Sequence, residues 1–194
     1  MNFIFISPQF PHTYWNFCDR LRQNGVNVLG IGDCPYDALE EHVKASLTEY
    51  YFVENMQDYD QMLRAVGFFT FKYGKIDWIE SNNEFWLEQD AQLRTDFHVT
   101  TGEQAEGIGR LKHKSSMKPY YKKAGVATAR LAQIPTIKEA KAFLKRVGYP
   151  VIVKPDIGVG AADTWKLESD ADLEWFYNNL PEHPYVMEEF VYGF

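Results

Sequence analysis

Residues 149–165 read YPVIVKPDIGVGAADTW, and the order of residue types in this stretch decides what surrounds it. Val151, Ile152 and Val153 are β-branched and apolar, the signature of a buried strand. Lys154 follows, then Pro155, then a loop carrying Gly158 and Gly160. An ammonium in an apolar strand pays heavily for lost hydration unless an anion sits beside it. Two arrangements supply one. The side chain can snorkel from the strand end to solvent or to a surface carboxylate. Alternatively, glycines let backbone N–H groups form a nest for a phosphate next to the lysine. Thr164 to Leu167 reads as a further strand, so the loop is also the turn of a β-hairpin, and a hairpin tip can close over phosphates. The GK[ST] of a P-loop is absent.

Upstream, Ala129 to Ile134 reads as a short strand. Thr136 and Glu139 have capping-box spacing. Ile137, Ala140, Phe143, Leu144 and Val147 then form one helical face, which Gly148-Tyr149-Pro150 ends. Arg110 to Lys123 is the densest basic stretch, with Met117, Tyr120, Tyr121 and Ala124 at helical offsets. Downstream, a helix is expected from Ser169 to about Asn179, with Leu173, Phe176 and Leu180 inward. A last strand runs from Tyr185 to Glu189. Glu188-Glu189 at its end fits an edge strand with solvated glutamates. It fits equally a strand that offers one carbonyl and one N–H to a flat heterocycle such as adenine.

Residues 1–104 have a different rhythm. Strands at Phe3–Ile6, Val26–Ile31, Tyr50–Val53 and Ile76–Ile79 alternate with helices at Thr13–Asn24, Asp60–Tyr73 and Asn83–Phe97. A turn-rich segment containing Gly32, Asp33 and Pro35 follows the second strand. Short apolar strands alternating with helices imply an α/β fold: a doubly wound, mainly parallel sheet with helices on both faces. Ser7, Asp33 and 81–83 then fall at the carboxyl ends of strands, where such sheets bind ligands. By position alone Ser7, Asn82 and Asn83 are candidates for substrate contacts, although turn and cap chemistry is the simpler account of each. No GxGxxG follows the first strand, which removes the dinucleotide fingerprint.

The 194 residues are 45% hydrophobic and 24% charged, with a net charge of -7. That balance argues against nucleic acid as a partner, which needs a basic face. Cys18 lies in a helical pattern and reads as a small buried thiol; Cys18 and Cys34 form no CxxC. The start lacks a basic n-region, and no apolar run is long enough to span a bilayer. No membrane partner and a cytoplasmic location are the expectations.

Three segments in this order, LKHKSSMKPYYKKAGV (111–126), GYPVIVKPDIGVGAADTWKL (148–167) and PYVMEEFVYGF (184–194), resemble the ATP-grasp superfamily. The likeness covers residues 105–194, as a small α+β nucleotide-lid subdomain. Residues 1–104 resemble the Rossmann-like pre-ATP-grasp domain that commonly precedes it. Within the superfamily the nearest likeness is to carboxylate–amine ligases and carbamoyl-phosphate-synthase-type proteins.

The resemblance implies roles. Lys114 is similar to the lysine that reaches nucleotide phosphates from a helix start, and Lys154 to its strand partner. Ile157, Gly158, Val159, Gly160 and Ala161, with Ala162, match the loop that closes over the phosphates. Glu188, Glu189, Phe190 and Val191 match the adenine hinge, with a carbonyl for the amino group and the Val191 N–H for the ring. The loop departs from the pattern at Ala161, Ala162 and Asp163, where relatives carry glycines or Ser/Arg. An aspartate near polyphosphate is unfavourable unless it turns away or contacts Mg²⁺. The sequence reaches Phe194 inside the hinge, so the Mg²⁺ ligands and the groups that hold an acyl phosphate are expected in a carboxy-terminal half. The implied activity is ATP-dependent ligation of a small carboxylate to an amine through an acyl phosphate, with ATP and Mg²⁺. These 194 residues alone are expected to bind ATP or ADP weakly at most, to be inactive, and to self-associate through an unfinished sheet. The alternative is a non-enzymatic nucleotide-binding or partner-complementing module.

Overall fold

The strand read at Val151 lies in the second of two units, Met1–Ile108 and Gly109–Phe194, in a computed structural model that describes residues 1–158, 163–179 and 184–192. In the first unit β1 (Asn2–Ile6), β2 (Asn27–Gly32), β3 (Glu49–Phe52) and β4 (Trp78–Glu80) form a wholly parallel sheet in the order β3-β2-β1-β4. Between the strands run α1 (Trp15–Gln23), α2 (Glu41–Ser46), α3 (Tyr59–Tyr73) and α4 (Leu87–Asp96).

Strand pleating sends alternate side chains to opposite faces, and both faces here are apolar. Ile4, Ile6, Leu29 and Ile31 pack with Met62, Val66 and Phe69 of α3 and Leu93 of α4. Phe5 and Val28 pack with Cys18 of α1 and Val43 of α2. Each such fully buried side chain stabilises by about 1.5–3 kcal/mol. Gly30 of β2 is tightly packed: a Cβ there would lie 2.8 Å from a Leu47 methyl, so that side chain would have to move. The helices therefore cover both faces, as the alternation predicted.

Two segments differ from expectation. The turn-rich segment after β2 contains a 3-10 turn, Tyr36–Ala38, and the six-residue α2. Leu39, Val43 and Leu47, four apart, face the core, but so short a helix leaves little periodic signal. The helix expected over Asn83–Phe97 is split into a 3-10 turn, Glu84–Trp86, and α4. Asn83 caps the 3-10 turn, its side chain accepting from the Phe85 N–H at 3.0 Å.

In sequence, α5 (Ala105–Lys112) spans the boundary between the units. The second unit contains α6 (Lys114–Lys123), β5 (Leu131–Gln133), α7 (Ile137–Val147), β6 (Val151–Pro155), β7 (Trp165–Leu167), α8 (Asp170–Asn178) and β8 (Tyr185–Glu189). Its sheet is antiparallel, in the order β5-β8-β6-β7. Phe143 and Leu144 of α7 and Leu173 and Phe176 of α8 pack on Val151, Val153 and Met187. Ile152, Lys154, Val186 and Glu188 therefore point to the other face. Leu180 lies outside the described residues.

β6 and β7 form the expected hairpin, with Val153 opposite Trp165. β8 is flanked by β5 and β6, so it is an inner strand and the edge-strand alternative for Glu188-Glu189 is overturned. Thr136 caps α7, accepting from the Glu139 N–H at 3.4 Å and donating its hydroxyl to the Glu139 carboxylate at 2.8 Å. Gly148 ends that helix at φ 74°, a conformation that favours glycine. No residue of α6 is buried, and Tyr120 and Tyr121 are exposed, so its helical offsets make no core stripe. Cys18 is buried, which pushes its thiol up to about 12, and both cysteines are free. Among the described residues no helix is long and apolar enough to cross a membrane.

Candidate nucleotide site

The amino terminus of α6 is capped from a distance. Asp156, 4% exposed just after β6, accepts the Ser115 N–H at 2.7 Å and the Ser115 hydroxyl at 2.7 Å. Its backbone carbonyl accepts the Lys114 N–H at 3.0 Å, and His113 Nδ1 lies 3.5 Å from its carboxylate. These bonds satisfy donors that a helix start leaves unpaired. They also join the first turn of α6 to the loop after Lys154.

Lys114 is consequently held at the loop. Its ammonium donates to the Gly158 carbonyl at 3.1 Å and, more loosely, to the Asp156 carbonyl at 3.4 Å. Gly158 has φ +142°, open to glycine and strained for other residues, while a Cβ would meet nothing nearer than 4.0 Å. Glycine is needed here for conformation, not room. Ile157 is 40% exposed at the same turn. Val159, Gly160, Ala161 and Ala162 lie outside the described residues.

Lys154 has an anionic partner from the neighbouring strand. Register places it opposite Val186, so Glu188 is its diagonal neighbour on the same face. The Lys154 ammonium donates to Glu188 Oε2 at 2.5 Å. Lys118 of α6 donates to Glu188 Oε1 at 2.5 Å and to the Ala129 carbonyl at 2.9 Å. Burial alone would raise the Glu188 carboxyl, but the bonds and charges of the two lysines outweigh it and hold the carboxyl below its ordinary range.

The remaining hinge candidates are arranged differently. Glu189 accepts the Arg130 backbone N–H at 2.7 Å and pairs with the Arg130 guanidinium at 2.5 Å. The backbone bond and that guanidinium keep its carboxyl low despite opposing desolvation. The Lys166 ammonium lies 5.1 Å over the Phe190 ring, and Val191 is 65% exposed. The structure thus brings Lys114 to Gly158 and Lys154 to Glu188. Lys118, Ser115 and Asp156 escaped sequence reasoning. The signal for Lys118 was present: it stands four residues after Lys114, one helical turn along the same face.

In the first unit the three positional substrate candidates have structural employment. The Ser7 hydroxyl donates to the Phe10 carbonyl at 2.9 Å, the Asn82 carbonyl accepts from the Tyr14 hydroxyl at 2.6 Å, and Asn83 is the cap already described. Beside them is a buried polar cluster. Ser81 donates its N–H at 3.0 Å and its hydroxyl at 2.5 Å to Asp90, and Arg94 donates to the Ile79 and Glu103 carbonyls at 2.7 and 2.8 Å. Among the described residues no group of three His, Cys, Asp or Glu side chains is placed to hold a metal.

This architecture is the fold of the amino-terminal portion of ATP-grasp ligases. It superposes with TM-score 0.76 on the biotin carboxylase domain of the Hydrogenobacter thermophilus 2-oxoglutarate carboxylase, solved with MgADP, ADP and bicarbonate, at 20% identity over 97% of this chain and 44% of that one. In sequence the chain is similar to the L-arginine-specific L-amino acid ligase of Bacillus subtilis, 26% identical over 160 residues, which are 82% of this chain and 38% of the relative. It is also similar to the arginine-specific carbamoyl phosphate synthase large chain of Eremothecium gossypii, 28% identical over 96 residues, 47% of this chain and 9% of the relative. The chain therefore spans less than half the length of these proteins. No protein-family model matches it.

Proposed function

We propose that this chain is the nucleotide-binding portion of an ATP-dependent ligase that joins a small carboxylate to an amine, or of a carbamoyl-phosphate-synthase-like enzyme, through an acyl phosphate. The observation that carries this reading is the Lys114 ammonium held against the Gly158 carbonyl at the mouth of the glycine loop. Residues 1–104 serve as the pre-ATP-grasp domain and 105–194 as the nucleotide lid. Lys114 and Lys154 offset phosphate charge, Ile157 to Ala161 close over it, and the backbone from Glu188 to Val191 meets the adenine. Catalysis of this type is positioning and electrostatics, without a covalent nucleophile on the protein. Mg²⁺, when bound, neutralises phosphate charge, and its ligands belong to a portion outside these residues. A turnover assay on a polypeptide of these 194 residues is expected to yield no ligated product.

Thermal unfolding with MgADP tests the reading. Ligand at 100 times its dissociation constant adds about 2.7 kcal/mol. For a chain of this size the midpoint rises by roughly 5–10 °C. Lys114→Ala and Lys154→Ala are expected to abolish the rise. A rise that survives both substitutions, or none in a folded sample at millimolar MgADP, overturns the assignment.

A further inference from the structure

The ammonium that the proposed site needs most, that of Lys154, is already engaged. It sits 2.5 Å from Glu188 Oε2, and the other oxygen of that carboxylate is held at 2.5 Å by Lys118. The three side chains are largely shielded, with 16% of Glu188, 23% of Lys118 and 25% of Lys154 exposed. A shielded carboxylate that loses its only cation is strongly destabilised. Were Lys154 the sole partner, any phosphate oxyanion recruiting it would leave Glu188 in that state. Lys118 changes the balance: with Lys154 withdrawn, Glu188 keeps one ammonium.

We infer that Lys118 is a positioning residue for the nucleotide site, holding Glu188 so that this carboxylate can release Lys154 to an incoming phosphate. Lys118 donates to Glu188 and to the Ala129 carbonyl, both internal partners, so it acts without touching the ligand. Glu188 is then an internal stand-in for phosphate, and Lys118 sets how strongly it competes. The inference rests on the nucleotide reading above and adds to it a residue and a mechanism of regulation by charge exchange.

A suppressor experiment separates this role from direct binding. MgADP affinity is measured calorimetrically for the wild-type chain, Lys118→Met, Lys118→Arg, Lys118→Met/Glu188→Gln and Lys154→Met. Lys118→Met is expected to weaken binding about tenfold, the usual scale of coupling between contacting charges. Lys118→Arg keeps the affinity. Glu188→Gln, added to Lys118→Met, restores it to within about threefold, because an uncharged amide no longer retains Lys154. A double variant as weak as Lys118→Met means that Lys118 contacts the ligand itself and overturns the proposal, as does a Lys118→Met variant that binds like wild type. Wild-type affinity in Lys154→Met, or no binding by the wild-type chain, strikes the nucleotide reading instead. Independently of nucleotide, the Glu188 carboxyl followed by NMR must titrate higher in Lys118→Met; an unchanged titration shows that Lys118 does not hold it and overturns the proposal.

Discussion

Asp90 in the first unit and Glu188 in the second are both carboxylates shielded from water, yet their acidities move in opposite directions. Burial pushes each up. At Asp90 nearby Glu80 adds to that push, and the Ser81 donors and the charge of Arg94 do not overcome it, so the carboxyl rises to about 7. Arg94 is committed to two backbone carbonyls and to Glu80, 3.4 Å away. At Glu188 two ammoniums touch the two oxygens and outweigh desolvation. The donors decide the outcome: at Asp90 a hydroxyl and an amide both reach Oδ2, leave the buried Oδ1 without a partner and do not hold the carboxyl charged, whereas two ammoniums hold Glu188 as an anion. The first cluster ties a strand end to a helix. The second pairs one internal carboxylate with two ammoniums from different elements.

The comparison is tested most severely at the arginines. Arg94 is 2% exposed, and Arg94→Ala removes the cation beside Glu80 Oε2 and strands the Ile79 and Glu103 carbonyls. It should cost about 3–5 kcal/mol in urea denaturation. Arg130, exposed where it pairs with Glu189, should cost under about 1 kcal/mol on the same substitution. Equal costs would erase the distinction between a structural cluster and a surface pair.

The two carboxyls should also give opposite pH dependences. Asp90 binds its proton more tightly when folded, so its contribution is full below an ordinary value near 3.8 and is lost as pH rises through about 7. Glu188 is held low, so its contribution is full above an ordinary value near 4.5 and is lost as pH falls through the lowered one. Each slope is at most about 1.4 kcal/mol per pH unit. Urea melts between pH 3 and 8 should show Asp90→Asn flattening the fall between about pH 4 and 7 and Glu188→Gln flattening the loss below about pH 4.5. Variants that alter the same limb would refute the assigned donors.

The sequence exposed the two sheets unequally. Apolar runs such as Phe3–Ile6 and Val151–Val153 mark buried strands because burial on both faces, or one strong face, leaves no alternative residue types. The helix containing Val43 was invisible because six residues carry too little period. The inner position of β8 was hidden as well: pairing order between distant strands leaves no local trace, so solvated glutamates and an internal ion triad read alike. Lys154 and Gly158 stood out as candidates because an ammonium ending an apolar strand and a glycine in the loop after it call for an explanation, whereas Lys114 was marked by the family resemblance alone. Asp156 was not, since its work is done across 41 residues of chain, on Ser115.

That last contact frames a further pair of effects, at two helix starts capped in different ways. Thr136 caps α7 through its own first turn, and Asp156 caps α6 from another element. Asp156→Ala leaves two donors of Ser115 without an acceptor and should cost about 1–3 kcal/mol. Because the Asp156 backbone also holds the Lys114 N–H, loosening this turn should weaken MgADP binding. Thr136→Ala should cost about 1 kcal/mol, the usual value of an exposed cap. α7 packs on the core face of the sheet, away from Lys154 and Glu188, so its loss should leave MgADP affinity unchanged. Calorimetry on both variants, read beside their melts, decides whether the long-range cap is a support of the nucleotide site or only of the helix. Equal affinities in the two would reduce Asp156 to the second role.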